Sequence, residues 1–121
     1  MTIYEEFVFW ILQILEDDPI PYEVKNLYFV INFKNSVCAL SFVGTEIFES
    51  PLKNYEFYPL EAYWFRNQSF NQIKEIYTAK VTVKDLLEKA LDENPYFYQP
   101  FKNKTLHICE YGEQINWSRE V

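Results

Sequence analysis

The sequence predicts a single α+β domain over residues 1–121, with a mainly antiparallel sheet of about four strands, an N-terminal helix and one or two later helices packed on it. Three observations favour this fold class: an N-terminal apolar stripe at helical spacing, two apolar runs separated by a short polar turn, and a second helical stripe before a last apolar run. Hydrophobic residues make up 49% of the chain and charged residues 24%, which is typical of a packed domain.

The first helix is predicted from about Ile3 to Leu15. Thr2 and Glu5 have the spacing of a capping box, in which each side chain satisfies a backbone N–H group of the first turn. Phe9 lies on the narrow polar side of this helix, so we expect the sheet or another chain to cover most of its circumference. The acids of residues 16–18 precede Pro19 and oppose the helix dipole. The apolar side comprises Ile3, Tyr4, Phe7, Val8, Trp10, Ile11, Ile14 and Leu15.

Two strands are predicted at Leu27–Phe33 and Val37–Val43, joined by a short turn at Lys34–Ser36. A third strand is expected within Tyr55–Phe65, although both of its faces would be largely apolar. Pro59 interrupts that stretch, which favours a position at the edge of the sheet or at a bulge because proline cannot donate a backbone hydrogen bond.

The second half of the chain predicts further helices and a last strand. Ser69 is expected to cap a short helix, and Thr82 a longer one that ends before Asn94–Pro95. The rings of Pro95–Phe101 are expected to fold down over the sheet, with a second binding surface as the alternative for this stretch. The last strand is placed at Thr105–Tyr111. The apolar stripe of the longer helix consists of Val83, Leu86, Leu87, Ala90 and Leu91.

The net charge of −7 belongs entirely to the first half of the chain. Residues 1–62 contain ten acids and three bases, and residues 63–121 contain eight of each. Such a field repels phosphate backbones, so nucleic acid is not an expected partner. The same field attracts a basic protein and speeds the encounter with it.

Neither a membrane span nor a secretory signal is predicted. The longest apolar run, Phe7–Leu12, is far shorter than the roughly 20 residues that cross a bilayer. The opening residues MTIYEE are acidic where a secretory signal would be basic. We therefore expect a cytoplasmic protein without a membrane partner.

No catalytic, metal or cofactor motif stands out. His107 is the only histidine and shares a strand face with Cys109, but the pair lacks the alignment of a nucleophile with its base. A cysteine–histidine pair would need a neighbouring strand to supply Cys38. Cys38 and Cys109 lie within apolar runs, where cysteine usually acts as a small hydrophobe. Gly44 and Gly112 are the only glycines, so a glycine-rich phosphate loop is excluded and no cofactor is expected.

The candidate binding surface is the stretch EIFESPLKNYEFYPLEAYWF, residues 46–65, with four glutamates and seven aromatic residues. Tyrosine and tryptophan bury much area at low entropic cost, and carboxylates pair with lysine or arginine on a partner. The alternative is that the same aromatic rings are buried and form part of the hydrophobic core. The expected partner-binding residues are Glu46, Glu49, Tyr55, Glu56, Tyr58, Glu61, Tyr63 and Trp64.

The leading functional hypothesis is a small acidic protein-binding module, most concretely an immunity or inhibitor protein that occludes a basic partner such as a toxin nuclease. The abundance of residues with A/T-rich codons fits a low-GC, bacterial source. One alternative is a domain that encloses a small apolar ligand between the sheet and the first helix. Another is an enzyme that uses His107. A homodimer through Phe9 and the helix face is compatible with all three.

Overall fold

A computed structural model describes residues 1–59 and 64–121 and confirms the α+β class, with an N-terminal helix, an open sheet of four strands and later helices. The helices are α1 (Ile3–Asp17), α2 (Gln68–Asn71), α3 (Ile76–Glu93) and α4 (Pro95–Tyr98), followed by one 3-10 turn (Gln99–Phe101). The strands are β1 (Asn26–Lys34), β2 (Val37–Thr45), β3 (Thr105–Glu110) and β4 (Trp117–Glu120). No helix in these two described ranges combines the length and the apolar character that crossing a membrane requires.

The sheet has the order β2-β1-β3-β4, and two of its three pairings are antiparallel. β1 and β2 form a hairpin whose two loop residues, Asn35 and Ser36, have φ values of 50° and 64°. Positive φ at both positions is the geometry that matches the twist of paired strands. The central pair, β1 and β3, is parallel, because the chain between them carries β2 and all the later helices.

The third strand predicted within Tyr55–Phe65 is wrong as far as that stretch is described. One isolated bridge joins Gly44 and Phe57, and the Phe65 N–H donates to the Leu40 carbonyl at 2.9 Å. The stretch therefore follows the free edge of β2 without forming a ladder, as expected beside a proline that has no N–H to donate. Residues 60–63 lie outside the described residues. The fourth strand is instead β4, a short segment that the sequence reasoning missed.

The predicted capping box of α1 is confirmed, whereas the starts of the later helices differ from the prediction. The Thr2 hydroxyl accepts from the Glu5 N–H at 3.1 Å, and the Glu5 carboxylate accepts from the Thr2 N–H at 2.8 Å. α3 already begins at Ile76, and the Thr82 hydroxyl donates to the Thr78 carbonyl within it. Ser69 lies inside α2, whose N-cap is Asn67.

One face of the sheet packs against the helices and forms the main core. Phe7 from α1, Phe29 from β1 and Phe97 from α4 are each fully buried. The ring centroids of Phe29 and Phe97 lie 6.0 Å and 5.9 Å from that of Phe7. Phe101, from the ring-rich loop predicted to cover the sheet, contacts Phe97 at 5.1 Å. Described side chains thus fill the layer between α1 and the sheet.

The opposite face of the sheet is also buried over part of its area. Tyr28, Val30, Val43 and Cys109 form a second, smaller cluster there, covered in part by Leu52 and by Ile115. β1 is therefore covered on both sides, which explains why its sequence lacks the apolar–polar alternation of a half-exposed strand.

Candidate functional site

Residues 46–59, here called the 46–59 segment, leave the end of β2 and are anchored to the second face of the sheet. The Glu49 N–H donates to the Tyr28 hydroxyl at 3.1 Å. That hydroxyl lies 2.7 Å from the Thr45 hydroxyl, which itself donates to the Ile47 carbonyl at 2.7 Å. Because Thr45 has one proton to give, Tyr28 is the donor between the two hydroxyls. The three bonds run in one direction, an arrangement in which each polarises the next.

Two of the predicted binding glutamates also fix the shape of this segment. The Glu49 carboxylate accepts from the Asn54 N–H at 3.1 Å, and the Glu56 carboxylate accepts from the Glu46 N–H at 3.0 Å. Hydrogen bonds to a charged acceptor are about twice as strong as neutral ones. The carboxylates therefore order the backbone that carries them as well as supplying negative charge.

A further tie connects the segment to the loop before β4. The Ser50 hydroxyl donates to the Gln114 side-chain oxygen at 2.7 Å and accepts from the Ile115 N–H, also at 2.7 Å. Together with the Tyr28 chain, these bonds hold both sides of the first half of the segment. The segment is irregular in backbone, and hydrogen bonds anchor its first half to the sheet and to the loop before β4.

The rings of the predicted surface are divided between solvent and core. Tyr55 is 45% exposed and Tyr58 is 56% exposed, and their rings stack with centroids 5.5 Å apart and an interplanar angle of 19°. Phe57, between them, is buried. Ile47 and Phe48 are also exposed, at 75% and 47%, so the surface contains apolar groups that the sequence reasoning did not single out.

The structure brings together five of the eight predicted binding residues on the 46–59 segment: Glu46, Glu49, Tyr55, Glu56 and Tyr58. Glu46 and Glu56 are exposed, and Glu49 is half-buried. Trp64 lies at the β2 edge, where the Arg66 guanidinium lies 5.0 Å from its ring centroid. Glu61 and Tyr63 lie outside the described residues.

A groove opens between the segment and the sheet, with a volume of about 470 Å³. Val30, Val43 and Cys109 line it on the sheet side, and Tyr55 and Tyr58 on the segment side. The predicted anchor tyrosines thus border a concave surface that the sequence did not indicate.

His107 belongs to the same face and has a neutral polar environment. Its Nε2 lies 2.9 Å from the Asn26 side-chain oxygen, and its Nδ1 lies 2.6 Å from the Ser118 hydroxyl. Since the Asn26 amide nitrogen donates to the Glu46 carbonyl, Nε2 carries the proton and Nδ1 accepts from Ser118. Burial lowers the pKa of His107 to about 4, so the ring is neutral at pH 7.

The imidazole is also packed between aromatic neighbours. The Tyr28 ring stacks on it at 4.8 Å, and the Phe48 ring lies at 4.9 Å. His107 therefore joins β1, β3 and β4 to the start of the 46–59 segment. Its hydrogen-bond partners are the Asn26 amide oxygen and the hydroxyl of the exposed Ser118.

The two cysteines occupy opposite faces of the sheet. Cys38 belongs to the helix-side core, and Cys109 to the second cluster, so Cys38 cannot pair with His107. Both thiols are free, and burial raises the pKa of each to about 11. A thiol with such a pKa is protonated at neutral pH and is a poor nucleophile.

Comparisons with protein-family models, with curated proteins and with solved structures find no match for this chain. Within residues 1–59 and 64–121, no three histidine, cysteine or acidic side chains cluster as metal ligands would. The functional proposal therefore rests on the geometry of the site.

Proposed function

We propose that this chain is a small, non-catalytic, cytoplasmic binding protein whose 46–59 segment occludes a basic protein partner. The concrete form is an immunity or inhibitor protein directed against a toxin such as a nuclease. One observation carries the proposal: an ordered, irregular segment presents exposed carboxylates, Glu46 and Glu56, beside the exposed side chains of Ile47, Tyr55 and Tyr58.

Charge supports a basic partner. The first half of the chain, which contains the segment, holds all of the net charge of −7. Enzymes that act on nucleic acids need a basic surface to attract phosphates, and an acidic protein complements such a surface. Complementary fields raise the rate of encounter and set specificity more than they raise affinity.

Order in the free protein supports binding through this segment. An interface loop that is already fixed loses less conformational entropy on association. Here the Tyr28–Thr45 chain and the carboxylates of Glu49 and Glu56 fix the backbone without a partner. Tyr55 and Tyr58 add rigid rings of the type that dominate binding energies.

The alternatives have less support from the described residues. The Phe7 ring contacts those of Phe29 and Phe97 where an apolar ligand between α1 and the sheet would lie. His107 contacts a serine hydroxyl, but burial lowers its pKa to about 4, which makes the ring a weak general base at neutral pH.

The test is a reversal of charge on the segment. The wild-type chain is used to capture basic proteins from native lysate at low and high salt, and association rates of the captured partner are then measured. The double variant Glu46→Lys and Glu56→Lys is expected to lower the association rate at least tenfold at low salt and to flatten its salt dependence.

Two controls separate charge from structure. Asp85→Lys with Glu93→Lys makes the same change of net charge on α3, where both side chains are exposed, and is expected to change the rate less than threefold. Glu56→Gln removes a charge but keeps an oxygen to accept from the Glu46 N–H. Equal slowing by the segment and α3 pairs would reject the 46–59 segment as the binding surface.

A further inference from the structure

A second concave surface, here called the α1 groove, follows the exposed side of α1 and has a volume of about 820 Å³. It is lined mainly by apolar side chains, with carboxylates toward both ends of the helix. Trp64 closes one side of it and also borders the second face of the sheet near Ala39 and Ser41. The residues that matter most for its chemistry are Glu6, Phe9, Trp10, Asp17, Trp64 and Arg66. Arg66, whose guanidinium lies over the Trp64 ring, gives this lining one positive charge beside the two carboxylates.

The groove exposes apolar surface on a well-ordered helix. Phe9 is 60% exposed, although it lies in the middle of a capped helix. Trp10 beside it is half-buried, with its ring centroid 5.4 Å from that of Phe65 in the core. A contiguous apolar patch of this kind marks an interaction surface on a folded domain.

The charges of α1 and its caps are all negative. Residues 2–18 contain five acids and neither lysine nor arginine. The last turn of α1 has no basic residue, so Glu16 and Asp17 oppose the dipole of their own helix. At the other end, the Asn67 amide donates to the Glu6 carboxylate and holds it in position. A cation placed at the last turn would relieve an unfavourable interaction that the free chain retains.

We propose that the α1 groove docks an amphipathic helix of a basic protein. The apolar stripe of that helix lies on Phe9 and Trp10, and lysine or arginine side chains at its two ends approach Glu6 and Asp17. Glu6 and Asp17 are eleven positions apart in the sequence, which corresponds to about 16 Å along α1, so the docked helix carries its basic residues about three turns apart. This inference extends the proposed function by assigning a second contact region to the basic partner.

Charge also decides against other occupants. A second copy of this chain would bring the five acids of one α1 region against those of another, with a net charge of −7 on each molecule. An anionic lipid surface or a nucleic acid would meet the same repulsion. A helix with basic ends is the occupant that satisfies both the apolar stripe and the carboxylates.

The experiment uses the full chain and a displayed library of 15-residue helical peptides in which apolar and charged positions vary. Selected peptides are expected to combine an apolar stripe with lysine or arginine near both ends. Phe9→Ser should weaken their binding at least tenfold, and Asp17→Lys at least threefold with a smaller salt dependence. Tyr77→Ser, at another exposed ring on α3, should change binding less than twofold.

Three results would overturn the inference: no enrichment of any peptide, enrichment of acidic peptides, or binding that is insensitive to Phe9→Ser. Sedimentation showing a dimer that Phe9→Ser dissociates would identify a second copy as the occupant instead. Failure here is distinguishable from failure of the proposed function. If substitutions at Glu46 and Glu56 weaken binding of the partner but Phe9→Ser does not, only the proposal for the α1 groove is rejected. If the peptides bind the α1 groove but no partner depends on Glu46 and Glu56, only the proposal for the 46–59 segment is rejected.

Discussion

The two faces of the sheet are buried by different means. On the helix side, Phe29 of the sheet contacts both Phe7 of α1 and Phe42 of the neighbouring strand, and all three rings are fully buried. On the other side, a small apolar cluster is bordered by a polar network that includes Tyr28, Thr45 and His107. The first face is held by burial of apolar area, and the second by directed hydrogen bonds.

The two faces therefore contribute differently to the stability of the fold and to the conformation in which the 46–59 segment is exposed. A core of packed aromatic rings does not by itself define one loop conformation, because the hydrophobic effect is non-directional. A buried hydrogen-bond network does define one conformation, because each donor or acceptor left without a partner costs free energy. The 46–59 segment therefore keeps an irregular, exposed conformation that apolar burial alone would not define.

The largest expected loss of stability comes from a substitution on the helix-side face of the sheet. Phe29→Ala leaves a cavity under α1 and should lower the free energy of unfolding by about 3–5 kcal/mol. Tyr58→Ala on the 46–59 segment should change it by no more than about 0.5 kcal/mol. Urea unfolding of both variants measures the contrast. Equal losses would mean that Tyr58 belongs to the core and that the segment is not a separate presentation surface.

A smaller effect is expected from the polar network. Tyr28→Phe keeps the stacked ring but removes the hydroxyl that links the Glu49 N–H to Thr45, at a cost of about 1–3 kcal/mol. Amide exchange at residues 46–49 should accelerate while exchange in β1 and β3 changes little. Tyr55→Phe removes an exposed hydroxyl and serves as the matched control. Uniform acceleration through the whole sheet would show that the network stabilises the fold and not the segment.

Much of the helix-side face could be predicted from the sequence. Capping and apolar spacing placed α1, and the two runs around Asn35 placed the hairpin, because these signals are local. β4 was missed because its four residues alternate half-buried and exposed side chains without an apolar run. The start of α3 was predicted wrongly at Thr82, because a threonine whose hydroxyl donates within a helix cannot be distinguished from an N-cap in the sequence.

The candidate site was only partly predictable. Local composition indicated that residues 46–65 were unusual, and it identified the exposed Tyr55 and Tyr58. The anchoring bonds could not be predicted, because they join residues far apart in sequence, such as Tyr28 with Glu49 and Ser50 with Gln114. Nor could the inward and outward rings be assigned by strand alternation, since the described part of the segment forms only an isolated bridge.

The smallest effect tests whether His107 is held neutral by the second face. Its pKa in the folded chain is about 4, below the ordinary value of 6.5, because of burial. The unfolded chain therefore binds a proton first as the pH falls. The stabilisation from neutral His107 is complete above about pH 6.5 and is lost progressively down to about pH 4.

The full difference in pKa would correspond to roughly 3 kcal/mol. Because the Ser118 partner of His107 is exposed to solvent, we expect a smaller loss of about 1–2 kcal/mol between pH 7 and pH 4.5. His107→Gln can keep hydrogen bonds to Asn26 and Ser118 without titrating, so subtracting its pH dependence removes the contribution of the carboxylates. Because His107 is the only histidine, its ring resonances report the pKa directly in a proton NMR titration. An imidazole that titrates near 6.5, together with equal pH dependence in both proteins, would mean that the second face is open to water and that the 46–59 segment is not fixed in the free protein.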